Sequence, residues 1–278
     1  MQVIKTKTEL NKALERYRVG KITIGFVPTM GSLHLGHISL VEQSRNENGI
    51  TVVSIFVNPT QFNDKKDLDN YPRTFDDDLD KLTSVGCDFV FAPSVKEMYP
   101  EDDTRVFDFE KLDKVMEGAY RPGHFNGVAQ IVSKLFDTVA PDKAYFGEKD
   151  FQQLAIIKRM TAMMNYEVLI VNCPTIREAD GLAMSSRNVR LTPKQRQNAS
   201  IIAKTLFACK EKIKDIPLLE LKSWVTQQID NTPEFQTEYF DIVDRDTLQS
   251  ADKYEPDRLL GCVAVKVGNV RLIDNTPF

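Results

Sequence analysis

Short apolar runs alternate with longer amphipathic stretches along the first ~175 residues. Residues 22–27 (ITIGFV), 51–57 (TVVSIFV), 88–92 (DFVFA), 143–146 (KAYF) and 167–172 (EVLIVN) are predicted strands. Between them, stretches at roughly 36–48, 74–85, 126–139 and 150–165 carry helical patterning. The runs VVSIFV and VLIV are apolar at nearly every position, as strands buried on both faces must be. Strand–helix alternation at this spacing predicts a parallel sheet covered by helices on both sides.

The pattern changes near residue 176. Residues 177–191 are polar and loop-like. LTPKQRQNAS follows, with Thr192 placed as a helix cap and Pro193 at the first helical position. Helical patterning runs to about residue 230. TEYFDIVD and CVAVKVGNVRLID then read as strands, the latter as two strands about a Gly268-Asn269 turn. The expected fold class is α/β: a Rossmann-like doubly wound parallel sheet over 1–176, with a second, smaller α+β domain over 177–278, expected to act as a lid.

Composition narrows the function classes. The formal net charge is −4. That argues against a broad basic surface for nucleic acid, though not against a local pocket for a small anion. The four cysteines (Cys87, Cys173, Cys209, Cys262) are far apart and form no CxxC pair. They read as small buried apolar residues of a reducing compartment. No run approaches the ~18 apolar residues of a membrane span, and the N-terminus lacks a signal-peptide core. A cytoplasmic protein without membrane or nucleic-acid partners is expected.

Two of only three histidines fall in PTMGSLHLGH, residues 28–37, directly after the first long apolar run. A doubly wound sheet binds ligands at the carboxyl ends of its strands. The helix that starts here offers backbone N–H groups to a phosphate, and Gly31 and Gly36 allow close approach. His34 and His37, three apart, can face the same way and donate to phosphate oxygens. Neither GxGxxG nor GxxxxGK[ST] is present.

Further candidates lie at later strand ends. In FVNPTQF, Asn58 and Gln61 offer amides to a polar substrate, or form an Asn-Pro turn with an exposed glutamine. In YPRTFDDDLDKL, Asp76, Asp77 and Asp78 suit a first helical turn after the cap Thr74 better than a metal. RPGHFNGV holds Arg121, which can pair with an anion, and His124, which is either a ligand or a satisfied structural residue. In YFGEKDFQQL, Lys149 is a cation at a helix start, while Asp150 and Gln153 have capping-box spacing. READGLAMSSRN supplies the hydroxyls of Ser185 and Ser186 and the guanidinium of Arg187.

HxGH after the first strand is similar to the signature of the nucleotidyltransferases related to class I aminoacyl-tRNA synthetases. HxGH alone would also suit a dinucleotide-forming adenylyltransferase, a truncated aminoacyl-tRNA synthetase or a nucleotide-sensing module. PTMGSLHLGH as a whole, with the later stretches in the same order, resembles the pantoate–β-alanine ligase (pantothenate synthetase) family. That resemblance implies ATP-dependent condensation of (R)-pantoate with β-alanine through a pantoyl adenylate, releasing AMP and pyrophosphate. It implies Mg²⁺ with ATP as co-substrate, no tightly bound organic cofactor, no assigned protein metal ligand, and a homodimer by analogy. His34, His37 and Lys149 are the implied catalytic residues. ATP is implied to touch Met30, Gly31, Ser32, Leu33, His34, Leu35, Gly36 and His37. It is also implied at Gly147, Glu148, Lys149 and Asp150, with the lysine on phosphate and the aspartate on ribose. Ile176 and the serine loop Met184, Ser185, Ser186 and Arg187, the counterpart of the synthetase KMSKS loop, complete the set. Asn58, Gln61, Gln153 and His124 are implied to line the pantoate and β-alanine site. Two departures, Ala179 where relatives carry proline and Ser32 where alanine is common, remove no ligand group.

Overall fold

The computed structural model describes all 278 residues, which form two compact units. The first comprises Met1–Phe109, Arg121–Glu148 and Gln153–Pro174. The second comprises Glu110–Tyr120, Lys149–Gln152 and Thr175–Phe278. The second unit therefore draws two short pieces from earlier in the chain, besides everything after Pro174.

The first unit is built on six parallel strands: β1 (Gln2–Ile4), β2 (Ile24–Thr29), β3 (Ile50–Ile55), β4 (Phe89–Phe91), β5 (Lys143–Gly147) and β6 (Leu169–Cys173). Their order is β1-β4-β3-β2-β5-β6. The chain thus moves outward from β2 through β3 and β4, then returns to β5 on β2's other side. The expected doubly wound sheet is present, and its topological switch point lies between β2 and β5. Ligands of such sheets bind where the carboxyl ends of these two strands part.

Successive residues of β2 point to opposite faces and are buried on both. Val27 packs in a cluster with Ile38, Leu40 and Val41 of the helix Leu35–Glu47. Phe26 meets Phe136 of the helix His124–Val139 edge to face, ring centroids 6.4 Å apart. Burial on both faces is why the strand reads as an unbroken apolar run. β1 is a short edge strand that the charged N-terminal pattern hides. The helix Lys7–Val19 starts only after it, capped by Thr6, whose hydroxyl accepts from Glu9 N–H.

The second unit packs the helices Ser200–Lys212 and Leu218–Asp230 on an antiparallel sheet. Its strands are β7 (Phe235–Asp244), β8 (Leu259–Val267) and β9 (Val270–Pro277), in that order. Val267 pairs with Val270, leaving Gly268 and Asn269 as the two-residue turn, with Gly268 at φ +55°. Thr192 and Gln195 form a reciprocal capping box with Pro193 in the first turn. All four cysteines are buried and free. Burial pushes the Cys87, Cys173 and Cys209 thiols up to about 12, so they stay protonated and inert near neutral pH. No helix is long and apolar enough to cross a membrane.

One close approach fixes the helix Leu35–Glu47 on the sheet. A Cβ on Gly25 of β2 would overlap the Ser44 hydroxyl and the Asn48 amide. Both groups are committed: Ser44 Oγ pairs with Thr51 Oγ1 at 2.8 Å, and Asn48 Nδ2 donates to Tyr145 Oη at 2.7 Å. Gly25→Ala is expected to lower stability by about 1–3 kcal/mol, the range for overpacking a dense core. A denaturant midpoint unchanged from the parent chain would contradict this packing.

Candidate active site

The loop after β2 is shaped by one carboxylate. Asp78, 1% exposed on the helix Phe75–Ser84, accepts from the backbone N–H groups of Ser32 at 2.8 Å and Leu33 at 2.7 Å. Its Oδ1 also accepts the Thr74 hydroxyl at 3.1 Å. Gly31 and Ser32 sit in the left-handed region, at φ +78° and +50°. A side chain at Gly31 would press on Asp78 and Ile55 at 3.1 Å, so the glycine is needed for space as well as for backbone angle. Thr74 occupies the cap position but makes no capping hydrogen bond; its hydroxyl is spent on Asp78. The aspartate run therefore carries a loop clamp that its sequence did not reveal. One signal was available: Asp78 lies four residues before Leu82, which faces the core.

The clamp delivers the chain into the helix Leu35–Glu47 with His34 as its cap. His34 Nδ1 accepts from Gly36 N–H at 3.2 Å, and His37 Nδ1 accepts from His34 N–H at 3.3 Å. The two imidazoles thus form a reciprocal capping box, a role more often filled by Ser or Thr with Glu. Their ring centroids are 4.0 Å apart. With Nδ1 accepting in both neutral rings, the ring proton belongs on Nε2. Each ring is then a donor at a helix N-terminus, the end that attracts anions.

A second group of residues surrounds Gln61, in the turn Pro59–Gln61 after β3. Asn58 is 1% exposed, and its amide is fully used. Nδ2 donates to Gln61 Oε1 at 3.2 Å and to Gly127 O at 3.1 Å. Oδ1 accepts from Tyr99 Oη at 2.9 Å and from Thr60 Oγ1 at 3.2 Å. In this structure both donor protons and both lone pairs of the Asn58 amide have partners within the protein. Gln61 Nε2 reaches the Met30 sulfur at 3.0 Å, which ties this glutamine to the histidine loop.

His124 is satisfied within the protein in the same sense. It is 6% exposed, and its Nδ1 lies 2.8 Å from the Gln61 carbonyl oxygen. A carbonyl only accepts, so Nδ1 carries the proton. Nε2 then accepts from Arg121 Nη1 at 3.2 Å, while Arg121 Nη2 donates to the same Gln61 carbonyl at 3.2 Å. The imidazole is held neutral as a strut behind Gln61. Gln153 lies half-buried on the helix Phe151–Met163. Its neighbour Gln152, which the sequence did not single out, is the structural one. Gln152 donates to the carbonyls of Leu112 at 2.7 Å and Val115 at 2.9 Å and accepts from Glu117 N–H at 3.0 Å.

The remaining candidates lie in the second unit or next to it along the chain. β5 ends at Gly147, and one 3₁₀ turn carries Glu148, Lys149 and Asp150. Lys149 Nζ lies 3.4 Å from Asp150 Oδ2, and its side chain is 17% exposed. This partly exposed pair holds the ammonium only weakly. Ile176 accepts from Met184 N–H at 3.0 Å, closing a small hairpin in which Arg177 bridges to Ala183. Ser185 follows immediately. Its Oγ accepts from Arg187 N–H at 3.2 Å, so its own proton can be donated to a ligand.

Comparison with known proteins supplies the chemical context. The family model for pantoate-beta-alanine ligase matches residues 2–277. The pantothenate synthetase of Bacteroides thetaiotaomicron is 54% identical, covering 100% of this chain and 99% of its own. That of Acetivibrio thermocellus is 46% identical, covering 99% and 98%. Among solved structures, a Thermus thermophilus pantothenate synthetase superposes with TM-score 0.93 at 43% identity, covering 99% of each chain. A Francisella tularensis pantoate-beta-alanine ligase, complexed with beta-gamma ATP and beta-alanine, gives TM-score 0.84 at 33% identity over 100% of this chain and 97% of its own.

Asp78→Asn tests the loop clamp. The amide keeps the shape but turns one oxygen into a donor, leaving a backbone N–H of Ser32 or Leu33 without an acceptor. A stability loss of about 1–3 kcal/mol is expected, with weaker ATP binding because the histidine loop relaxes. Denaturant melts and ATP titration check the two parts, and parent-like values in both would remove Asp78 from the site.

Proposed function

This chain belongs to the pantoate–β-alanine ligase family, and from that premise we propose that it joins its substrates in two steps through a pantoyl adenylate. The overall reaction is the ATP-dependent ligation of pantoate with β-alanine. In the proposed first step a pantoate carboxylate oxygen attacks the α-phosphorus of ATP. The bond from that phosphorus to the bridging β-phosphate oxygen breaks, and pyrophosphate leaves. In the second, the β-alanine amine attacks the acyl carbon. The acyl–oxygen bond breaks, AMP leaves with its electron pair, and the amine sheds a proton.

The observation that carries this reading is the histidine capping box. Each Nδ1 is tied to backbone, so each Nε2–H is a preorganised donor where helix N–H groups already favour an anion. His34 and His37 are assigned to the phosphates, with charge building on them as pyrophosphate departs. Lys149, Ser185, Ser186 and Arg187 are assigned to the same phosphates. Met30 to Leu33, Leu35, Gly36, Gly147, Glu148, Asp150 and Ile176 are assigned to the rest of ATP, largely through backbone. Gln61 and Gln153 are assigned to pantoate and β-alanine. Asn58 and His124 hold Gln61 in place from behind.

Mg²⁺ is proposed to accompany ATP and to neutralise phosphate charge. Asp78, the buried carboxylate beside the histidine loop, is already engaged by two N–H groups and a hydroxyl, so the ion is assigned to phosphate oxygens.

Two experiments test the scheme. ATP and pantoate without β-alanine should release pyrophosphate for at least one turnover, and none would exclude the adenylate. His37→Ala should lower kcat by roughly 10²–10³-fold, the usual cost of one preorganised donor, with the helix still folded. Near-parent turnover in that variant would make the histidine a structural cap only.

A further inference from the structure

We infer that Asn275, held by the same Arg177–Asp274 ion pair that grips the hairpin running into residues 184–187, is a positioning residue that sets Lys149. The inference rests on the reading of Lys149 as a phosphate-binding cation. Lys149 sits in a single 3₁₀ turn, too short to fix its own position. Its carbonyl accepts a hydrogen bond from Asn275 Nδ2 at 2.8 Å. Asn275 is 7% exposed and lies in β9, where it pairs with Cys262 of β8.

Its neighbour Asp274 is 3% exposed and receives both arms of Arg177, at 2.7 Å and 3.0 Å. Burial pushes the Asp274 carboxyl above its ordinary value, and the Arg177 guanidinium opposes that shift. The same guanidinium donates to the carbonyls of Asn275 at 3.1 Å and Gly181 at 3.1 Å. Gly181, at φ +93°, lies in the turn of the hairpin that runs into Met184 and Ser185. One planar cation therefore grips the strand that positions Lys149 and the hairpin that positions the serine loop. A buried ion pair is a poor source of net stability, and an apolar pair would seal the same space. What the fork supplies is fixed geometry, four hydrogen bonds from one rigid group.

A mutant cycle distinguishes this role from simple stabilisation. Single-turnover pyrophosphate release from ATP and pantoate is measured for Asn275→Ala, Lys149→Ala and the double variant. Asn275→Leu, close in volume to the parent, serves if the alanine variant does not fold. Misplacing a charged group by a fraction of an ångström is expected to slow the step by about tenfold or more. ATP affinity should stay within about twofold, because a displaced Lys149 still contacts ground-state phosphate. In the Lys149→Ala background, loss of the Asn275 amide should then have almost no further effect. An equally large effect in both backgrounds, or none in the parent, overturns the inference. If Lys149→Ala itself keeps the parent rate, the assignment of Lys149 falls, and this inference falls with it.

Discussion

A single buried carboxylate governs the shape of the ligand-facing edge. Asp78 holds two consecutive N–H groups of a loop whose backbone would otherwise relax away from its left-handed turn. Those N–H groups lie beyond the end of β2 and have no ladder partner, and burying them without an acceptor would be costly. With the acceptor in place, the chain enters the helix Leu35–Glu47 at a fixed angle. The histidine capping box, the ring tautomers and the direction of Nε2 all follow from that entry. The chemistry assigned to His34 and His37 thus depends on an aspartate from a different helix, far along the chain.

The polar residues near the switch point divide by whether their hydrogen-bonding capacity is spent. Asn58 and His124 are spent: every donor and acceptor on the Asn58 amide and the His124 ring has a protein partner. Such fully satisfied networks rigidify what they touch, and here they touch Gln61 by its amide oxygen and its carbonyl. The second unit uses the same device with charge. Arg271 spans Glu117 and Glu238, with Nη2 2.6 Å from Glu117 Oε1 and Nε 2.7 Å from Glu238 Oε2. Tyr239 donates to Glu117 at 2.9 Å, and burial raises its phenol well above the ordinary range. These contacts fasten the segment Glu110–Tyr120 to the antiparallel sheet.

Most of the element types, though not the short edge strand β1, are legible in residue order, and the reason is local. Whether a stretch becomes a doubly buried strand or an amphipathic helix depends on side chains one to four positions apart, which the pattern displays. The parallel sheet, the cap Thr192 and the turn at Gly268 all rest on such short-range physics. The HxGH loop was legible for the same reason: strand, glycine, histidine and helix follow each other in the chain. The hydrogen-bond partners emerge only on folding. The spacing of Asp78 to Leu82 shows which aspartate of DDD turns inward but not that it meets Ser32 and Leu33, and nothing in NPTQ tells that Asn58 is saturated while Gln61 is only half held. The pairing of Arg177 with Asp274, and the return of 110–120 and 149–152 to the C-terminal unit, join residues that are 97 and 154 positions apart in the contacts Arg177–Asp274 and Arg271–Glu117. Hydrogen-bond satisfaction is a count over all neighbours in space, and a chain fixes those neighbours only once it has folded.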